Sequence, residues 1–308
     1  MALRIIRFGV SLGLLAVLVF AVADPRDLAG LIGRVRLPEL FLATAIVAGD
    51  RVLMAYKWRL LLLARRVPLD LWTAIRAYFA ATFAGLLLPV TVGADAIRVL
   101  AVRRFGVYDV AASIFVERLV GAVAVATLAM ACSTLVLGWL SGLAPRRVAL
   151  LVTGAALLGL VGFIVSLWLA GEWIGRRLGD GSRLSKFWAA YLAYRGHPSA
   201  LLLFYCLSVF ESLLPVFGMY VIGRGLGLDL TVGVLVATVP VALTIARLPI
   251  SLGGFGVQEL SFVYLVGLFG IPATEGLAVM LVADAVFILT LLPSAFDTSM
   301  LNLRRSES

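Results

Sequence analysis

Two short stretches hold the residue types that could do chemistry: Leu88-Pro89-Val90-Thr91-Val92-Gly93-Ala94 and Leu248-Pro249-Ile250-Ser251-Leu252-Gly253-Gly254. They match in residue type position by position, and one falls in each half of the chain. In both, proline and glycine stop an apolar helix that restarts a few residues later. A restarted helix presents free N–H groups and the positive end of its dipole, which together hold an anion. Thr91 and Ser251 add hydroxyls, Gly93, Gly253 and Gly254 let a ligand reach the backbone, and Gly256 extends the second glycine-rich turn. A phosphate group fits such a site.

The charged residues around the breaks extend this chemistry. Arg98 lies on the first restarted helix and Arg247 stands just before the second break. A buried arginine needs a partner, and Glu117, Glu259, Asp284 and Asp50 are the carboxylates available. Glu117 and Arg118 are adjacent, so on a helix they point about 100° apart and each is expected to pair with a group on another helix. That pairing could bind a ligand or fix packing. Asp95 reads as a cap for a short basic helix over 96–105, and Glu259 reads either as a ligand group or as the acceptor at its own helix start. Asp50, Arg51, Lys57 and Arg59 lie toward one end of their span, where long side chains can snorkel.

The elements that position these residues must be membrane helices. The chain is 62% hydrophobic and 14% charged with mean hydropathy +1.08, against about 45–50% apolar and about 25% charged in soluble domains. Apolar runs of spanning length, about 20 residues, recur throughout. The two cysteines, Cys132 and Cys206, lie in apolar runs without zinc or redox spacing, and His197 is the sole histidine. Histidine-based metal sites and Ser-His-Asp or Cys-His catalysis therefore lack material, and no cofactor is expected. The net charge of +9 marks cytoplasmic loops and anionic headgroups rather than nucleic acid. The N-terminal segment, basic and then apolar, reads as a retained anchor.

Taken in order, spans are expected near 5–23, 39–63, 71–88, 108–139, 148–170, 199–223, 231–248, 257–269 and 273–296. Residues 172–197 form an amphipathic cytoplasmic connector in which Arg176, Arg177, Arg183 and Lys186 alternate with Trp173, Phe187, Trp188 and Tyr191. It divides one membrane domain into a first half, 1–171, with a break at 88–95, and a second half, 198–308, with a break at 248–256. If both termini are cytoplasmic and both breaks are re-entrant, most of the 26 lysines and arginines fall on the cytoplasmic side. The expected fold is an all-α polytopic membrane protein with about six to eight spanning helices and two re-entrant broken-helix segments related by an inverted repeat.

The stretches LLLPVTVGADAIRVLAVRRFG, FVERLVG and ARLPISLGGFGVQE resemble the lysylphosphatidylglycerol synthase transmembrane region family. This is the flippase-like membrane half of bacterial multiple-peptide-resistance proteins. The resemblance covers essentially the whole chain. Pro89, Gly93, Asp95 and Arg98, the pair Glu117 and Arg118, and Pro249, Gly253, Gly254, Gly256 and Glu259 stand in its motifs. It implies a bacterial inner-membrane protein that moves or binds a lipid with an anionic or sugar-bearing headgroup. No aminoacyltransferase domain is legible, so lysyl-lipid synthesis is not implied.

The expected function is a lipid flippase or lipid transporter rather than an enzyme, with a phospholipid, polyprenyl phosphate or hopanoid-type lipid as partner. A homo-oligomer and a lipid-modifying enzyme partner are further expectations. Two alternatives stay open: an integral-membrane transferase or phosphatase acting on a lipid phosphate, and a non-transporting accessory protein for lipid-linked glycan or hopanoid synthesis.

Overall fold

Long apolar runs leave a backbone in lipid one local way to satisfy its own N–H and C=O groups, the helix. The computed structural model describes residues 2–87, 91–137, 171–178, 181–246 and 255–295, with a few positions between 154 and 165. Among the described residues there is no strand. The helices are α1 (Ala2–Val17), α2 (Pro25–Ile32), α3 (Leu37–Ala64), α4 (Leu71–Leu87), α5 (Thr91–Ala101), α6 (Val107–Leu137), α7 (Gly171–Arg177), α8 (Arg183–Leu192), α9 (Pro198–Glu211), α10 (Leu214–Gly225), α11 (Val232–Ala246), α12 (Val257–Gly267) and α13 (Ala273–Leu291). The chain is an all-α membrane protein.

Local chemistry sets several helix starts. Pro25, Pro38, Pro198 and Pro215 stand in first turns, where the missing N–H has no intrahelical partner to lose. Before α4, the Thr73 N–H donates to Asp70 Oδ1 at 2.9 Å. The Thr73 side chain and that N–H hold the exposed Asp70 carboxyl below the usual carboxylate range.

Among the described residues, three segments have the length and hydropathy to cross a membrane: Val107–Cys132, Pro198–Gly225 and Ala273–Ser294. The second comprises α9 and α10 with a step at Ser212–Leu213. Shorter apolar helices run over Ser11–Val22, Val232–Ala246 and Val257–Gly267. Helix α3 has the length, at 28 residues, but carries Asp50, Arg51, Lys57 and Arg59 along it. It is accommodated inside the bundle, packed against α4, α6, α9, α10 and α13. Helix α6 in turn packs against α8, α9 and α11. Helices from the two sequence halves thus interleave along α3 and α6.

Two apolar clusters frame the charged residues. One gathers Trp58, Leu62, Ala74, Tyr78, Val110 and Ile114 between α3, α4 and α6. The other joins Leu61, Val116 and Val120 to Tyr191, Tyr194 and Phe204. Phe115 meets Tyr191 edge-on at 5.3 Å between ring centroids, and the Tyr194 hydroxyl donates to the Leu61 carbonyl at 3.1 Å. The connector is therefore docked onto the bundle through its aromatic residues.

The first restarted helix differs from the sequence expectation. It runs over Thr91–Ala101 and is followed by a single 3-10 turn at Arg103–Phe105, rather than beginning at 96. Thr91, Gly93 and Asp95 are helical, so Asp95 lies inside the helix and does not cap it. Pro89, Arg247, Pro249, Ser251, Gly253 and Gly254, expected at the breaks, lie outside the described residues.

Candidate functional site

Asp95 and Arg98 are three apart on α5 and so share a face. That face meets α6, where adjacent Glu117 and Arg118 point about 100° apart. Both of those residues reach back to α5. Arg98 Nη1 donates to Glu117 Oε1 at 3.2 Å and Nη2 donates to Oε2, making a two-pronged pair. The Tyr78 hydroxyl from α4 donates to the same Oε1 at 3.0 Å. The Arg98 guanidinium also lies over the Trp58 ring at 4.2 Å and the Tyr78 ring at 4.6 Å. Trp58 is fixed in turn, its Nε1 donating to Ser113 Oγ at 3.0 Å.

Arg98 and Glu117 are almost fully enclosed, at 4% and 7% exposure. Burying two charges is costly unless their geometry and extra hydrogen bonds offset the lost hydration. Here the offset comes from a fork of charge-assisted bonds, a phenol donor and two aromatic faces. One group is left over: Arg98 Nε is buried without a hydrogen-bond partner.

The other half of the cluster is open. Arg118 Nε donates to Asp95 Oδ2 at 2.7 Å, and Arg118 Nη2 lies 2.6 Å from the same oxygen. The Arg118 side chain is nonetheless 51% exposed. Asp95 Oδ1 lies 3.8 Å from Arg98 Nη1, so Asp95 bridges the two arginines. Arg118 sits about 16 Å along the α6 axis from Val107, at a rise of about 1.5 Å per residue. That depth is within the apolar span Val107–Cys132. An arginine half exposed within an apolar span calls for a wet cavity or an anionic partner.

A second charged group connects α3 to α9. Lys57 Nζ donates to Ser208 Oγ and to Glu211 Oε2, each at 3.0 Å, and lies 5.1 Å from the Phe204 ring centroid. Lys57 is 2% exposed, so it does not snorkel as the sequence suggests. One turn and a half earlier, Arg51 Nε donates to Asp50 Oδ2 at 2.9 Å, and its guanidinium faces Phe287 at 5.4 Å. Asp50 Oδ1 is buried and unpartnered.

The second restarted helix carries a separate arrangement. Gly256 has φ +83°, and its N–H donates to Glu259 Oε2 at 2.6 Å. Of the two readings left open for Glu259, the structure shows the cap. Asp284 stands on α13, which packs against α12. Helix α12 packs against α11, α13 and α1, whereas α5 packs against α4 and α6. Asp95, Arg98, Glu117 and Arg118 therefore form one cluster, and Gly256 and Glu259 a separate capped turn.

Gly256 lends itself to a direct test. A Cβ there would stand 2.9 Å from Leu14 Cβ and 3.0 Å from the Ser11 carbonyl oxygen on α1. Its left-handed backbone alone costs a side-chain-bearing residue about 1–2 kcal/mol. Gly256→Ala is expected to lower the unfolding temperature of the detergent-solubilised protein by several degrees. An unchanged melting curve would refute this packing of α1 on the turn.

Sequence reasoning missed Tyr78, Trp58, Ser208 and Glu211. Glu211 had a legible signal, being the one acidic residue in the run Pro198–Gly225. Tyr78 and Trp58 had none beyond an aromatic in an apolar helix. Among the described residues no three His, Cys, Asp or Glu side chains are grouped to hold a metal ion.

These features define a membrane protein with transmembrane helices and a charged cluster held between them. The chain belongs to the lysylphosphatidylglycerol synthase transmembrane region family, whose family model matches residues 4–294. No curated protein sequence matches it.

Proposed function

We propose that the protein is a flippase or transporter for a lipid with an anionic headgroup in a bacterial cytoplasmic membrane. The observation that carries this reading is Arg118, half exposed within an apolar span and tied by one fork to Asp95. A guanidinium offers paired N–H donors that match two phosphate oxygens. The headgroup phosphate would lie against Arg118 while the acyl or prenyl chains stay in lipid. Translocation then requires the site to open alternately to the two faces.

Arg98, also expected to touch the headgroup, is assigned a different role. Its donors are directed to Glu117 and its faces are covered by Trp58 and Tyr78. It holds α5 against α3, α4 and α6, and so sets where Asp95 and Arg118 meet. Membership of the family supports a lipid as the cargo class.

The test is a vesicle assay with fluorescent phosphatidylglycerol and a reductant that bleaches only the outer leaflet. Purified protein should make the inner-leaflet label accessible faster than in protein-free vesicles. Equal rates, together with no binding of the lipid, would overturn the proposal.

A further inference from the structure

We infer that Asp95 is a resident competitor for the headgroup, a carboxylate of the protein that occupies Arg118 until a phosphate displaces it. The inference rests on the reading of Arg118 given above and adds how binding is tuned. Both Arg118 donors in contact, Nε and Nη2, converge on one oxygen, Asp95 Oδ2. That uses half of the carboxylate and leaves the Arg118 side chain 51% exposed. A phosphate with two free oxygens would engage the same fork more completely.

The displaced carboxylate has a destination. Asp95 Oδ1 is 3.8 Å from Arg98 Nη1, within ion-pair range but longer than a hydrogen bond. Arg98 also keeps a buried Nε–H without a partner, a donor whose lost hydration is uncompensated. A modest turn of the Asp95 side chain toward Arg98 would shorten that contact and release Arg118. Arg98 itself cannot become the ligand group, because Glu117 holds both of its terminal nitrogens and Tyr78 holds Glu117.

Charge arithmetic points the same way. Asp95, Glu117, Arg98 and Arg118 carry two negative and two positive charges, so the resting cluster is balanced. A phosphodiester brings it to one net negative charge inside an apolar span. The wild-type site therefore binds weakly and releases, as a transporter must. With asparagine at position 95 the resting cluster is one charge positive and the loaded cluster is balanced.

The experiment measures binding of a soluble short-chain phosphatidylglycerol to the full-length protein in detergent, with inorganic phosphate as a parallel probe. Asp95→Asn should bind the lipid roughly three- to tenfold more tightly than wild type, Asp95→Glu should restore the wild-type value, and Arg118→Ala should lose binding. In vesicles Asp95→Asn should translocate more slowly because release is slowed. Equal or weaker binding by Asp95→Asn, with Arg118→Ala still defective, would overturn the competitor role and leave Arg118 as the headgroup residue. Wild-type binding by Arg118→Ala would overturn both. Inorganic phosphate binding as tightly as the lipid would overturn the lipid headgroup as occupant. If Asp95→Asn does not fold, Asp95→Ser removes the same charge and must show the same tightening.

Discussion

Arg118→Ala abolishes translocation of an anionic lipid headgroup in reconstituted vesicles while the protein still folds, inserts and elutes as wild type. Both halves of this result follow from where the side chain sits. Arg118 is half exposed and its one described partner is Asp95, so removing it leaves no enclosed charge stranded. Asp95, the partner left behind, keeps Arg98 within 3.8 Å, so the loss of stability is expected to be small. The contribution of Arg118 to binding is larger, because in an apolar span no water-rich surface substitutes for the fork of donors. Arg118→Lys sharpens the test. It keeps the charge but loses the planar pair of N–H groups, and is expected to retain a reduced rate rather than none. Wild-type rates in both variants would remove Arg118 from the mechanism and with it the proposed headgroup site.

Much of this architecture was readable beforehand, and the parts that were not have physical causes. Composition dictates helices because lipid supplies no hydrogen-bond partners, and the helix-length apolar runs place them. The adjacency of Glu117 and Arg118 implies two different partners on other helices, and the structure gives Tyr78 and Arg98 to one and Asp95 to the other. Which partners they take depends on how α4, α5 and α6 approach one another, and that has no local signature. Asp95 shows the opposite failure. Placed two residues after Gly93 and before an apolar run it looks like a cap, yet the helix begins four residues earlier at Thr91 and frees the carboxylate for a tertiary contact.

Lys57 and Glu259 show how burial redistributes roles that spacing leaves ambiguous. A lysine near a span end snorkels when a polar surface lies within reach. Here Ser208 and Glu211 on α9 supply the polar partners inside the bundle instead. Glu259 stands at the third position of a helix whose cap residue, Gly256, has a free N–H. The nearest unsatisfied donor takes one oxygen of its carboxylate.

The largest loss of stability is expected at Glu117. Glu117→Ala leaves the Arg98 guanidinium enclosed without its counter-charge, an arrangement that costs about 3–5 kcal/mol when one partner of a buried pair is removed. Glu117→Gln keeps the shape but not the charge and is expected to fall between alanine and wild type. Thermal unfolding of the detergent-solubilised proteins measures both. The double variant Arg98→Met/Glu117→Leu separates folding from function. It replaces the pair by apolar groups of similar size against Trp58 and Tyr78, so it should unfold at a higher temperature than Glu117→Ala. Its translocation should nonetheless stay impaired, because α5 is then held by nondirectional contacts and Asp95 is no longer placed between two arginines. A double variant that recovered both stability and wild-type transport would show the Arg98–Glu117 pair to be replaceable packing, with no part in aligning Asp95 and Arg118.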